Sequence, residues 1–415
     1  MDASSPVATT DESSLRYEGW RIVAVCFLVA TFGWAFGFYG QSVYLAELHR
    51  EHGWPASLIS GATTFFYLSG ALVVVFVSEA VKKFGPRNCL IAGAGATAIA
   101  GVSLGQVREP WQLYLANGML AFGWAGMSLA MITNTLGLWF DRKRGMAISL
   151  ALNGASFGGI AGVPLLVIAI GHFGFPTAMM VAAGVMIALV VPTVLIFVGQ
   201  PPHLSHVVAT AAKTSSARQI RAGALRDIGF LSVTTAFAVV LFAQVGFIVH
   251  LIAFLDPVIG RASATTAIAL LTAMAVVGRV LFSTVIDRLN QRLASALSFM
   301  SQAAALAVLI NLRNDYALIA ACGVFGFSVG NLITLPSLIV QREFDSRSFG
   351  VLVSLQTAIA QVTYAFGPGV VGVLRDLSGS YTLPLYCCIA LELTAAVLIM
   401  IRGRTSSLRG PVGSQ

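Results

Sequence analysis

The chain has 415 residues, of which 57% are hydrophobic and only 10% charged, with a net charge of +8 and a mean hydropathy of +0.84. A soluble domain needs a surface that is roughly a quarter to a third charged, so these figures exclude a soluble multidomain enzyme and point to an all-α polytopic membrane protein. The apolar runs are about 20 residues long rather than alternating segments of about 10, which excludes a membrane β-barrel.

Residues 1–19 open with "MDASSPVATTDESS". No basic segment followed by a cleavable apolar core is present, so this stretch reads as a cytoplasmic tail and not a signal peptide. Apolar runs then follow at 20–45, 56–80, 88–106, 112–139, 146–171 and 176–198. After the polar stretch 199–227 come 228–254, 264–286, 293–311, 316–339, 348–373 and 383–401. Each run is long enough to cross ~30 Å of hydrocarbon at ~1.5 Å per residue. The expected organisation is therefore twelve transmembrane helices in two six-helix halves, 20–198 and 228–401. A cytoplasmic linker, 199–227, joins the halves, and a cytoplasmic tail, 402–415, closes the chain.

Of the 25 Lys and Arg residues, nineteen fall on the side shared by both termini. Five, Arg50, Arg108, Arg261, Arg313 and Arg375, fall on the other, and Arg279 lies inside a run. The positive-inside rule then places both termini in the cytoplasm of a cell membrane, a bacterial inner membrane being the expected setting. The same bias accounts for the basic balance without nucleic acid as a partner.

Several chemistries find no support. The five cysteines sit in or at the ends of apolar runs and suggest neither a disulfide framework nor a zinc site. His49 with His52, and His203 with His206, are spaced three apart but have no further ligands nearby, so no metal and no cofactor is expected. No cluster of nucleophile, base and orienting group appears, so an enzyme is not expected. The phosphate-cradling pattern GxxxxGK[ST] is missing, so energy for any transport must come from an ion or solute gradient.

The two halves echo each other. "VKKFGPR" at 81–87 occupies the place that "IDRLNQR" at 286–292 takes in the second half, and "WFDRKRG" at 139–145 matches "REFDSRSFG" at 342–350 in position. Parallel repeats of this kind are used by transporters that rock two bundles around a site near the midplane. The loop charges Asp287, Arg288, Arg142 and Arg144 are candidate gating residues that latch one conformation.

Twelve runs, the basic loop "FGPR" and "GRxxxxxxxDR" around the eighth run together resemble the major facilitator superfamily across nearly the whole chain. Three further stretches are similar to its monocarboxylate transporter-like branch, which includes the oxalate–formate exchangers. These are "YEGWRIV", "WFDRKRGMAISLALNGASFGG" and "FGPGVVGVLRDLSGSY". The resemblance implies alternating access and an anion-binding arginine at Arg279. Departures are informative. Lys82 and Lys83 stand where the superfamily usually has Asp-Arg, whereas Asp287 and Arg288 keep that pair in the second half. The exchangers' second cation, a helix 11 lysine, is matched here by Gln356, and one cation suits one carboxylate. Ala275 replaces the aspartate that proton-coupled animal members carry one turn before the arginine, and their helix 1 lysine is missing, so their coupling scheme does not transfer.

Read from the residues alone, Arg279 poses the main question, because a charge at that depth costs at least ~2.5 to 3.5 kcal/mol. Guanidinium does not escape by losing its proton. It either anchors a carboxylate through two parallel hydrogen bonds or forms a buried ion pair, for which Glu392 is the available partner. The resemblance turns helices 1, 5 and 11 toward the cavity, which adds Tyr39, Asn153 and Gln356 as candidate substrate contacts. His250 titrates near neutrality and is a candidate for substrate binding and proton coupling; the alternative is a histidine hydrogen-bonded within a helix interface. Asp256 is a second coupling candidate, or merely ends its helix before Pro257. Gly154, Gly158 and Gly162 recur every four residues and predict close helix contact, and "FGPG" at 366–369 predicts a bend in helix 11.

The expected function is a monomeric secondary transporter of a small organic anion, a monocarboxylate in the first place, coupled to H+. A carboxylate exchanger is one alternative. The aromatic stretches "TFGWAFGFYG" and "TTFFYLSG" support another, a larger planar solute such as riboflavin or an aromatic acid.

Overall fold

A computed structural model describes residues 12, 14, 17–140, 143–199, 214–285, 289–332, 335–344 and 348–401, and among them there are helices and no strands. Among the described residues, ten helices are long and apolar enough to cross a membrane by length and composition. One of these, Ile228–Phe282, has 55 residues, or about 80 Å at 1.5 Å per residue. It is two crossings, because Gly260 breaks the helix with φ 78 and ψ 160. A shorter apolar helix, Thr382–Leu398, follows.

We number these in chain order. Helix α1 is Gly19–His52, α2 comprises Ala56–Val74 and 77–84, α3 is 86–104, α4 Pro110–Leu136, α5 Arg144–Phe173 and α6 Phe175–Phe197. A short helix, Thr214–Ala224, precedes α7 at 228–259 and α8 at 261–285. Next come α9, Gln291–Asn311, and α10, made of Asp315–Leu332 and Leu335–Glu343. Helix α11 is split into Phe349–Ala365 and Gly367–Ser378, and α12 is Thr382–Leu398. The end of the bundle shared by Gly19 and Leu398 is called the terminal end below, and the opposite one the far end.

Local chemistry sets the joints. The turns from α2 to α3, α5 to α6 and α7 to α8 each place one glycine at nearly the same dihedrals, Gly85 at φ 79 and ψ 157, Gly174 at φ 77 and ψ 163, and Gly260 as above. Only glycine visits that region without strain, so one residue reverses the chain in all three hairpins. Helix α9 starts at Asn290, whose side chain accepts from the N–H groups of Arg292 and Leu293, satisfying orphan donors of the first turn. The "FGPG" stretch breaks α11 at Phe366, as its sequence predicts.

Packing relies on small residues, because between lipid-embedded helices apolar burial gives little drive and close van der Waals contact must supply it. A Cβ on Gly154 or Gly158 would collide with the backbone carbonyls of Phe27 and Thr31, so α5 lies backbone to backbone on α1. The same holds between α8 and α10, where Gly330 and Gly326 face the carbonyls of Ala275 and Leu271. These approaches fix the heights at which side chains on α1, α5, α8 and α10 meet.

Candidate functional site

Two π-helical turns mark the middle of the bundle, Ala35–Tyr39 on α1 and Gly158–Gly162 on α5. Such turns insert one extra residue per turn and are frequent at functional sites. They touch each other and α8. A Cβ on Gly159 would lie 3.0 Å from the Tyr39 ring and would clash with Thr272 of α8. Thr272, Ala275 and Arg279 follow one another at spacings of three and four, hence on one face of α8. That face leads from the α1–α5 junction to the guanidinium, and Tyr39 and Arg279 lie close enough to interact electrostatically.

Arg279 is half-buried, and its Nε is buried with no hydrogen-bond partner. Among the described residues no ion pair includes it. The alternative partner, Glu392, is fully buried on α12, and neither of its carboxylate oxygens has a partner either. The two residues therefore do not neutralise each other. Tyr39 continues into a chain of rings from α1, α2 and α11. Phe38 stands 5.0 Å from Tyr39 and 6.3 Å from Tyr67, and Tyr67 stands edge-on to Tyr364 at 5.7 Å. The Tyr67 hydroxyl and the Gln356 amide nitrogen are buried without partners, as is the Gln41 amide nitrogen, although the Gln41 carbonyl accepts from Thr63 at 2.9 Å.

The other sequence candidates are spread more widely. Asn153 is exposed on α5, one residue before the Gly154 contact. His250 is 1% exposed, and both ring nitrogens are taken. Nε2 lies 3.0 Å from the Pro368 carbonyl, to which it donates, and Nδ1 accepts from the Tyr381 hydroxyl at 3.1 Å. That arrangement pins α7 to the break in α11. Asp256 is half-buried at the far end of α7, within electrostatic reach of Glu47. Arg144 is exposed and directs its guanidinium at the end of α4, against Gly137 and the Thr133 carbonyl, rather than at the second half. Arg142, Asp287 and Arg288 lie outside the described residues.

Sequence reading missed the contacts that join α1 and α2 to α8 and α11. Glu47 near the far end of α1 is 3% exposed and pairs with Arg50 and, across the halves, with Arg261 at the start of α8. Asp376 of α11 accepts from the backbone N–H groups of Ala56 at 3.2 Å and Ser57 at 2.7 Å. Those are the first two residues of α2, whose own N-cap position is Pro55 with no side-chain cap. The second half thus caps a helix of the first, placing negative charge at a helix N-terminus. Gly369 donates its N–H to Thr64 at 3.1 Å, and Gly372 packs on Ser60 with no room for a Cβ. Among the described residues, these inter-half hydrogen bonds and the ion pair all lie toward the far end. Nothing local in the sequence marks Asp376 as a cap, because the helix it caps is more than 300 residues away in the chain.

A second arginine was likewise not singled out. Arg292 at the start of α9 is 1% exposed. It binds both oxygens of Glu343 at 2.6 and 2.8 Å, the Ser232 hydroxyl, and the carbonyls of Gly229, Ile399 and Ile401. It ties the terminal ends of α7, α9, α10 and α12 together.

A profile of the Major Facilitator Superfamily matches residues 24–368. The chain belongs to that superfamily. Its members carry small-molecule solutes across a lipid bilayer, and the multi-pass helical fold agrees with that. Among curated relatives, MFS-type transporter pynF of Aspergillus niger is 27% identical over 385 residues, 90% of this chain and 84% of the relative. Monocarboxylate transporter 13 of Bos taurus is 24% identical over 378 residues, 88% of this chain and 84% of the relative. Among solved structures, a mutant of the nucleoside transporter NupG superposes with a TM-score of 0.78 at 10% identity, covering 91% of this chain and 99% of the other. At that identity the likeness concerns the fold alone.

Proposed function

We propose that this superfamily member is a secondary transporter of a small organic anion, a monocarboxylate in the first place, with Arg279 as the anchor for the carboxylate. The observation that carries the reading is a buried guanidinium nitrogen with no partner, held beside Tyr39 where the π-turns of α1 and α5 meet α8. A charge is kept at that depth only where something repays it, and a bound carboxylate supplies the missing acceptors. Tyr39 and Gln356 offer further donors, and Asn153 lies exposed on α5 as a third polar contact. Similarity to monocarboxylate transporters at low identity points the same way.

With both termini in the cytoplasm of a cell membrane, as the Lys and Arg bias supports, the closed far end is the outer one and this conformation faces inward. Alternating access then requires the Glu47–Arg261 pair and the Asp376 cap to part. Proton symport is the coupling we favour. Asp256 lies within electrostatic reach of Glu47 at that closure, where protonation of Glu47 weakens the pair with Arg261 and the charge on Asp256 favours that protonation, whereas His250 couples only if its two hydrogen bonds break. Exchange of two carboxylates uses the same anchor. The protein acts as a monomer in this scheme, and its loop residues Asp287, Arg288, Arg142 and Arg144 hold the opposite conformation.

A second reading rests on the rings of Phe38, Tyr67 and Tyr364, which continue from Tyr39 and suit a planar solute such as an aromatic acid or riboflavin. One experiment separates the two. Purified protein and Arg279→Gln are melted against lactate, pyruvate, formate, oxalate, aromatic acids and riboflavin, since a ligand of the folded state raises the melting point with its concentration over Kd. Stabilisation by a small carboxylate that vanishes in Arg279→Gln is the expected result. Stabilisation by riboflavin that survives the substitution overturns the anchor and favours the planar solute.

A further inference from the structure

Glu392 belongs to neither the Arg279 site nor the far-end closure. It is 0% exposed, on the face of α12 that also carries Cys388 one turn earlier. Its surroundings are bracketed from both sides. The Cys388 thiol lies 3.9 Å from the Ala243 carbonyl of α7, and one turn later Ala395 and Ala396 pack with Phe237 and Val240 of α7 and Phe299 of α9. Helical side chains lean toward the N-terminus of their helix, so Glu392 reaches back toward the Cys388 turn and the level of Ala243. There α7 carries Gln244 and α9 carries Gln302. The Gln302 amide donates to the Gln244 carbonyl at 3.0 Å, which leaves the Gln302 side-chain oxygen buried and unpartnered.

The buried oxygens without partners here are two on Glu392 and one on Gln302, and no donor lies within hydrogen-bond reach of either Glu392 oxygen. The charged and titratable groups on the surrounding helices are already engaged or lie elsewhere. Cys388 and Cys387 share α12. His250 on α7 is held by Tyr381 and Pro368, and Asp256 faces Glu47 at the far end. Arg292 on α9 is held by Glu343, and Arg375 and Asp376 on α11 pair with each other and with α2. Among the described residues no cation pairs with Glu392. An ionised carboxylate with no donor or cation in reach is costly there, and a proton on Glu392 removes that charge.

We propose that Glu392 is a proton-binding site, occupied in this conformation, whose proton closes the seam of α7, α9 and α12. Loss of that proton leaves an uncompensated charge in the seam and loosens α12. The sign follows from linkage. At a pH below the ordinary glutamate range, the folded and unfolded chains both carry the proton and stability does not depend on it. Above that range the unfolded chain has lost it while the folded one keeps it, so stability falls with each pH unit until Glu392 itself ionises.

The test uses the full-length protein purified in detergent as wild type, Glu392→Gln and Glu392→Asp. Infrared spectra at neutral pH should show a protonated-carboxyl band, sensitive to D2O, that is lost in Glu392→Gln and moved but kept in Glu392→Asp. Between pH 6 and pH 9 the wild-type Tm should fall relative to that of Glu392→Gln, by about 1–3 °C per pH unit. An unchanged band in Glu392→Gln, or Tm curves that stay parallel, overturns the site. So does failure of Glu392→Gln to fold, because glutamine is the neutral near-isostere, and a fold that rejects it depends on the charge.

Discussion

Two arginines thirteen positions apart behave in opposite ways, and the contrast separates support from function. Arg292 is more deeply buried, yet it is fully paired with a carboxylate, a hydroxyl and three backbone carbonyls contributed by three other segments. Arg279 has an unpartnered buried nitrogen, no ion pair among the described residues and a tyrosine beside it. A satisfied buried charge specifies where helices sit, whereas an unsatisfied one is stable only with a partner that comes and goes. Burial alone would have ranked the two in the wrong order for a search for the site.

The largest effect should come from the satisfied arginine. Arg292→Met strands Glu343 and several carbonyls, and we expect a loss of about 3 kcal/mol, the low end for splitting a buried ion pair because Glu343 keeps some access to water. The check is thermal unfolding, with Glu343→Gln added to Arg292→Met recovering part of the loss. Arg279→Gln should do the reverse, leaving the melting point of the ligand-free protein unchanged or raised while weakening carboxylate binding by about tenfold to a hundredfold. If ligand-free Arg279→Gln melts as low as Arg292→Met, the distinction between the two sites fails.

Smaller effects should sharpen the picture. Asp376→Asn removes a charged cap worth about 0.5–2 kcal/mol, which moves the balance toward the far-end-open conformation by roughly two- to thirtyfold. A maleimide reacting with Ser60→Cys, buried behind Gly372 in this conformation, should label faster once Asp376 is replaced. An unchanged labelling rate would mean that the cap does not hold the closure. The smallest change is expected from Tyr39→Phe, which keeps the ring but loses the hydroxyl near Arg279. Carboxylate affinity should drop about two- to tenfold, as for one hydrogen bond, with the melting point of the ligand-free protein unaffected.

How much of this was legible beforehand differs by residue. Apolar runs spaced along the chain announced the crossings, because length and hydropathy are local properties. Arg279 stood out because a charge inside such a run breaks a local rule. The glycines of α5 and the break at "FGPG" were visible for the same reason. His250 was visible as a residue, but its role was not, since its partners Pro368 and Tyr381 lie more than 100 residues away. The π-turn carrying Tyr39 left only a faint trace, a glycine-rich aromatic stretch that helix periodicity does not resolve.

By itself, then, the sequence determined a multi-pass helical membrane protein, the break at "FGPG" and the presence of an anomalous cation at depth. The tertiary structure decided which buried polar groups answer one another. Glu47 meets Arg261, Asp376 caps α2 and Arg292 finds Glu343, whereas among the described residues neither Arg279 nor Glu392 has an ion-pair partner. The physical reason is that hydropathy is additive along the chain. Satisfaction of a hydrogen bond or a charge is a pairwise property of atoms in space, and only the packing of helices distant in sequence settles it.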